Sequence, residues 1–326
     1  MYNKREKEIN NVQLLNKSSS AKAIYKEPFF HYVMRNKWLY LFLTIGLIYL
    51  FIFNYIPMYG IVMAFQNFSP IKGFFHSQWI GIQNFKYLFH SADFLNVLKN
   101  SILISLYRIA WGFPAPIILA LMLNEVRSLI FKRTLQTVVY LPHFISWVVL
   151  ACIVTNFLAP SGGLVNDVIA SLGGKPIAFL TSETWFRSVL VFSDVYKEVG
   201  WGTIIYLASM TGIDPGLYEA AVIDGASRFQ RIRHITLPGI STTIVVLLVL
   251  RMGSVLRNGF EQVFLLYGPL VYQVADVFET FSYRTGLLEG RFSYATAVSL
   301  FQSVVGFILI VGCNKFSRKI NENNLW

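Results

Sequence analysis

The stretch Glu219-Ala220-Ala221-Val222-Ile223-Asp224-Gly225-Ala226-Ser227-Arg228-Phe229-Gln230-Arg231-Ile232-Arg233-His234-Ile235-Thr236-Leu237-Pro238 is a polar, basic island between long apolar runs. Its local signals spell a helix–turn–helix. Just upstream, Asp214-Pro215 supplies an N-cap followed by proline at the first helical position. Leu217, Ala220 and Ala221 give a small apolar face at spacings of three and four. Gly225 stops the helix, as glycine does at a C′ position. Ser227 and Gln230 form a capping-box pattern for a second helix bearing Arg228, Arg231 and His234, and Pro238 opens the next apolar run. The small Ala220 and Ala221 permit close approach of another surface, and Glu219 offers it a charge. On these residues alone, a plain amphipathic connector is the more economical account and a docking element the alternative.

The surroundings of the island decide the fold class. The chain is 55% hydrophobic and 14% charged, whereas soluble domains carry about 25% charged residues. Residues 38–71 and 134–166 contain no Asp, Glu, Lys or Arg. About 20 apolar residues span a bilayer as a helix, and only helices or closed barrels satisfy the backbone there. The apolar blocks lack period-two alternation, so the chain is expected to be an all-α integral membrane protein. Six spans are predicted, at 38–64, 99–123, 138–158, 185–211, 239–258 and 294–314. Three of them hold charges: Arg108 in the second, Asp194, Lys197 and Glu198 in the fourth, and Arg251 in the fifth.

Lysine and arginine placement orients the spans. The first 37 residues hold eight (Lys4, Arg5, Lys7, Lys17, Lys22, Lys26, Arg35, Lys37). The segments after spans two, four and six add Arg127, Lys132, Arg133, Arg228, Arg231, Arg233, Lys315, Arg318 and Lys319. The intervening loops hold only Lys72, Lys86, Lys175, Arg284 and Arg291. This positive-inside bias puts both termini and residues 213–238 in the cytoplasm. The chain then divides into a cytoplasmic tail (1–37), a transmembrane domain (38–314) and a second tail (315–326). The formal net charge of +11 reads as topology and attraction to anionic membrane lipid, not as nucleic-acid binding. A polar opening tail argues against a cleavable signal peptide. Cys152 and Cys313 both fall inside spans, where packing is expected and neither a disulfide nor a metal site is.

The island resembles the EAA loop of permease subunits of type I ABC importers, with its EAA, three residues, Gly, nine residues, Ile-x-Leu-Pro. Glu219, Ala220, Ala221, Gly225, Ile235, Leu237 and Pro238 stand at its fixed positions, and Asp224 directly precedes the glycine. Further segments resemble the carbohydrate branch related to the maltose system, especially its LplB-type subunits. They are Phe65-Gln66-Asn67-Phe68, residues 79–85 (WIGIQNF), residues 140–147 (YLPHFISW), Gly268-Pro269-Leu270-Val271-Tyr272 running into Ala275-Asp276-Val277, and the terminal Leu325-Trp326. A six-span chain without a large extracytoplasmic insertion also resembles that type, and departs from the maltose-type first permease. The resemblance implies a subunit of a bacterial cytoplasmic (inner) membrane importer for an oligosaccharide. Its implied partners are a second homologous permease, two ATP-binding subunits and an extracellular or periplasmic solute-binding protein. The first helix of the loop would be the coupling helix seated in the ATPase, and the cycle would be alternating access.

No energy source is visible in the chain itself. The nearest approach to a phosphate-binding loop, Gly173-Gly174-Lys175, is followed by Pro176 and lacks the leading glycine. ATP and Mg are therefore expected on partner subunits, with no cofactor bound by this chain. The five histidines (His31, His76, His90, His143, His234) are scattered, and neither a Ser/His/Asp set nor a metal-spaced cluster is present, so no catalytic residue is expected.

Charges inside spans are costly and are functional candidates by default. Asp194 and Glu198 lie four residues apart on one helical face. Lys197 can pair with Asp194, which would make the cluster a structural ion pair. Tyr196 and Trp201 could stack on sugar rings or simply pack. Arg251, Asn258 and Glu261 complete the candidate substrate pathway. If the cargo is an acidic fragment such as a uronate oligomer, Arg251 and Lys197 are the natural carboxylate partners. The segment 259–293 reads as a long loop with seven aromatic residues before Arg284, available to the cavity or to a binding protein. A secondary transporter or channel would call for inverted repeats, and none is evident. A membrane glycosyltransferase would need a catalytic carboxylate beside a nucleotide or polyprenyl site. A non-sugar importer cargo is the nearer alternative.

Overall fold

The computed structural model describes residues 29–321 of the chain, with side-chain surroundings over 32–315. Lys4, Arg5, Lys7, Lys17, Lys22, Lys26 and Leu325-Trp326 lie outside the described residues, and the side chains of Arg318 and Lys319 outside the described surroundings. Two compact units separate at Gly60 and Ile61. In the first, helix α1 (Lys37–Leu50) continues through a π turn at Phe51–Tyr55. The helical run Lys37–Phe65 has mean hydropathy 2.0, the signature of a membrane span.

The second unit holds every other helix named below. A two-residue antiparallel ladder, β1 (Gln66–Asn67) with β2 (Gln78–Trp79), precedes α2 (Ala92–Tyr107). Ser91 caps α2 by accepting from the Phe94 amide. A π turn at Arg108–Gly112 leads into α3 (Pro114–Asn124), where proline occupies the tolerated first turn. Together they form the span Ala92–Asn124.

The third predicted span is not one straight helix. It is α4 (Leu129–Tyr140), prolonged by a 3-10 turn to Phe144, and α5 (Trp147–Phe157), with a 102° bend at residues 145–146. Pro142 sits in a single 3-10 turn, Ile145 is extended, and Ser146 caps α5 through the Val149 amide. An apolar count runs straight through this break because LPHFIS contains no charge.

Helix α6 (Glu183–Met210) is 28 residues long, about 42 Å of rise. Among the described helices, three pass both the length and the apolarity requirements of a span, or five if each bent pair is one span. With Glu183, Arg187, Asp194, Lys197 and Glu198 along it, α6 meets length but not apolarity. It is the central helix of the unit. Phe186 and Leu190 pack with Ile104, Val263 and Val271 at one end, and Tyr206 and Met210 pack with Ala120 and Ile240 at the other.

After α6 come α7 (Pro215–Ile223) and α8 (Arg228–Arg231), then a π turn at Ile232–Thr236 and α9 (Ser241–Gly253). The run Arg228–Gly239 and α9 meet at 60° over Ile240, which is fully buried. Helix α9 ends at Gly253, short of the span end expected at 258.

The segment 259–293 is largely helical rather than an open loop. It forms α10 (Phe260–Leu266), a 3-10 turn at Pro269–Val271, a short helix Tyr272–Ala275, α11 (Phe278–Tyr283) and a π turn at Arg284–Leu288. Its helices are too short and mixed to register as spans. Buried aromatics hold it: Phe278 and Phe281 pack with Phe94 and Tyr294. Asp276 accepts from Thr280 Oγ1 at 2.7 Å and from Arg284 Nη2 at 2.5 Å. Finally α12 (Phe292–Asn321) supplies the last span.

Candidate functional site

One face of α6 lines a half-open cavity of about 480 Å³, bordered also by residues of the Arg108–Gly112 turn, α3 and α9. Asp194, Glu198, Trp201, Gly202 and Ile205 face it, the three- and four-residue spacing of a single helical face. Opposite them stand Arg108, Arg251 and Arg257. Three guanidiniums thus meet two carboxylates.

Asp194 is the hub of this set. Its Oδ2 lies 3.8 Å from Arg108 Nε and 4.0 Å from Arg251 Nη2. The two arginines differ in access: the Arg108 side chain is 7% exposed and that of Arg251 45%. Arg108 also donates to Gln262 Oε1, and Gln262 in turn donates to the Leu190 carbonyl at 2.7 Å and Ser193 Oγ at 2.8 Å. Arg108 is therefore a fixed wall of the site, and Arg251 is the cation that can turn toward a ligand. Glu198 Oε2 faces His143 Nδ1 at 3.0 Å. The His143 ring stacks on Trp201 with centroids 4.4 Å apart and planes at 4°, and Phe144 meets the indole edge-on. Trp201 is thereby held rigid with its outer surface on the cavity.

The remaining candidates sit elsewhere. Lys197 is buried and does not pair with Asp194. Its Nζ donates to the carbonyls of Pro142 (3.5 Å), His143 (2.8 Å) and Ile145. Those carbonyls are freed where α4 breaks, so the lysine acts as a cation at a helix C-terminus. It cannot serve as a carboxylate partner for cargo in this arrangement. Tyr196 points to the other side of α6, into an apolar recess of about 500 Å³ lined by side chains such as Ile145, Phe157 and Trp185. That recess has too few polar side chains to orient a sugar.

Asn258 is fully buried. Its Nδ2 donates to the Ser101 carbonyl at 3.2 Å, and its amide donates to Glu279 Oε1 at 3.1 Å, which also accepts from Gln302 Nε2. It ties α2 to the break after α9 and does not line the cavity. Glu261 is exposed in the first turn of α10, outside the cavity lining. The candidate pathway read from the sequence leaves out Arg108, Arg257, His143 and Gln262. Arg108 and Arg257 carry a usable signal, a charge inside a predicted span. His143 and Gln262 have none without the fold.

At the end of α6 farthest from Glu183, residues 213–238 form an exposed helical hairpin. Asp214 Oδ1 accepts from the Gly216 amide at 2.9 Å. At the other end of α7 the Gly225 amide donates to the Val222 carbonyl and the Ala226 amide to the Ala221 carbonyl, with Gly225 at φ +76°. That is a Schellman stop. The Ser227–Gln230 capping box is complete. Tyr218 Oη and Thr236 Oγ1, 2.9 Å apart, fasten α7 to the following turn. Nothing in α7 is buried: Glu219, Ala220, Asp224 and Gly225 are exposed, as are Leu217, Val222, Ile223 and Phe229. Ala221, Ile235 and Leu237 are half-buried, and Pro238 is exposed.

A cavity walled by charge within a helical membrane domain, joined by one helix to an exposed hairpin, is an arrangement that suits a solute permease. The chain belongs to the binding-protein-dependent transport system inner membrane component family, which residues 112–321 match, and it is a permease subunit of an ABC importer. It is 48% identical to Protein LplB of Bacillus subtilis over 90% of this chain and 92% of that one. It is 45% identical to the polygalacturonan/rhamnogalacturonan transport system permease protein YteP of Bacillus subtilis, over 90% and 92%. Its fold matches a chain of a bacterial ABC transporter involved in import of the acidic polysaccharide alginate. The TM-score is 0.83 and the identity 43%, over 90% of this chain and 99% of that one. A second crystal structure, a bacterial alginate ABC transporter with an alginate pentasaccharide-bound periplasmic protein, gives 0.84 and 42%, over 92% and 100%.

Proposed function

We propose that this permease subunit carries an acidic oligosaccharide, a uronate oligomer, into the cytoplasm of a bacterium across its inner membrane. The observation that supports this cargo is the excess of guanidinium over carboxylate in the cavity, with half-exposed Arg251 and Trp201 both on its lining. Carboxylates bind guanidinium by charge-assisted hydrogen bonds, and an aromatic face suits a sugar ring. Relatives named for polygalacturonan/rhamnogalacturonan and alginate transport agree with it.

In this account an extracytoplasmic binding protein delivers the chain, and a second homologous permease closes the pathway. Two ATPase subunits bind ATP and Mg, and one of them docks on Glu219, Ala220, Ala221, Asp224 and Gly225 of this chain. Ile235, Leu237 and Pro238 pass the motion on to α9. The cavity supplies ionic and stacking contacts that are strong enough to admit the cargo and shared among several weak groups, so that it can leave. The test is ATP-driven accumulation by proteoliposomes containing the whole transporter and its binding protein. A uronate trimer should accumulate, and a neutral trisaccharide of matched length should not. Equal accumulation of both would contradict the acidic cargo.

A further inference from the structure

Toward the Glu183 end of α6 lies a second polar recess, of about 380 Å³, bounded by Tyr107, Trp111, Glu183, Arg187, Val191 and Phe192. Along α6, Glu183, Arg187 and Val191 continue the same stripe as Asp194, Glu198 and Trp201, recurring every three or four residues. On the 107–112 segment, Tyr107 and Trp111 border the recess, while Arg108 and Gly112 border the central cavity. The two spaces therefore succeed one another along the same faces of α6 and of the 107–112 segment, with the recess nearer the end of α6 opposite residues 213–238.

Arg187 is the fixed cation of the recess. Its Nε donates to the Val274 carbonyl at 3.1 Å and its Nη2 to Asn100 Oδ1 at 2.8 Å. Both acceptors are neutral. Among the described residues its ion pairs with carboxylates number none within 4.0 Å, so the guanidinium is oriented by neutral acceptors, with Glu183 the carboxylate that shares the recess. Beside it Trp111 is 62% and Tyr107 43% exposed. A pre-oriented cation next to exposed aromatic rings can take a carboxylate and a sugar face together.

We propose that this recess is an outer subsite, binding one uronate unit of the cargo through Arg187 and Trp111 while a neighbouring unit occupies the central cavity. Such a subsite presupposes the acidic cargo argued above and adds a dependence on chain length. Arg187 and Asp194 are seven residues apart on α6, about 10 Å along the axis, so one sugar ring cannot engage both stretches.

The experiment measures uptake of uronate oligomers from dimer to hexamer, and of neutral oligosaccharides of matched length, by cells producing the complete transporter. Wild type is compared with Arg187→Gln, Arg187→Lys and Trp111→Ala at equal membrane levels. The expected result is a rate penalty for Arg187→Gln that grows with length to about tenfold for the hexamer, the scale of one charge-assisted hydrogen bond. Arg187→Lys should restore part of it, and Trp111→Ala should show the same length dependence. A penalty equal at every length, or loss of the partner permease on purification, would overturn the subsite and make Arg187 a packing residue. If Arg187→Gln does not reach the membrane, the length dependence of Trp111→Ala decides alone. Wild type that imports neutral chains as fast as acidic ones would refute the acidic cargo instead. Trp111→Ala on neutral chains would then still decide whether the recess holds sugar.

Discussion

The ammonium of Lys197 lies 2.8 Å from the backbone carbonyl of His143 and closes the broken end of α4. The same turn sends the His143 ring onto Trp201 and its Nδ1 toward Glu198. A charge that resembles a ligand partner in sequence thus builds the wall on which the cavity-facing residues stand. Lys197→Met should leave the carbonyls of His143 and Ile145 without their side-chain donor, while Pro142 keeps the Ile145 amide, and destabilise the domain by about 3 kcal/mol. Thermal unfolding of the detergent-purified transporter should show a clear drop in midpoint. The surviving protein should keep the wild-type ratio of acidic to neutral uptake.

Gly200 sits where α6 crosses α4. A Cβ built there would stand 2.0 Å from the Val139 carbonyl oxygen, backbone that cannot swing aside. Gly200→Ala should therefore force the two helices apart and lower the amount of folded protein in membranes severalfold. Gly312 on α12 meets nothing within 4 Å. Gly312→Ala should be neutral by the same fluorescence or immunoblot measurement.

Gly225 holds φ +76° at the stop of α7, a conformation that costs L residues roughly 1–2 kcal/mol. Gly225→Leu should misdirect the hairpin, and Glu219→Lys should reverse the charge offered to a partner. Both should abolish uptake while the chain remains inserted, and both should lose co-purifying ATPase. Retained uptake in either variant would remove the docking role from this loop.

How much was legible in the sequence depended on how local each signal was. The caps at Asp214 and Ser227 and the stop at Gly225 involve partners two to five residues away, and each forms as the sequence indicates. The helical run through 37–65 and α12 are apolar enough to read directly. The bend at 145–146 hid within an uncharged run, although Pro142 and Ser146 were its available markers. The acceptors of Lys197 lie 52 to 55 residues upstream, so no periodicity could show them. Asn258 misled for the same reason. A polar residue near a span end can line a pathway or tie helices together, and its bond to Ser101, 157 residues away, decides for the latter.

The measurement that bears most directly on the acidic-cargo account is uptake by Arg251→Ala, with a uronate oligomer and a neutral oligosaccharide of equal length offered side by side. Asp194 keeps Arg108 as a partner in this variant, 3.8 Å away, so the wall of the cavity stays in place. The account predicts that acidic uptake falls about tenfold, as for loss of one charge-assisted contact, with neutral uptake little changed. Equal losses for both sugars would contradict it and leave Arg251 as part of the protein's own charge balance.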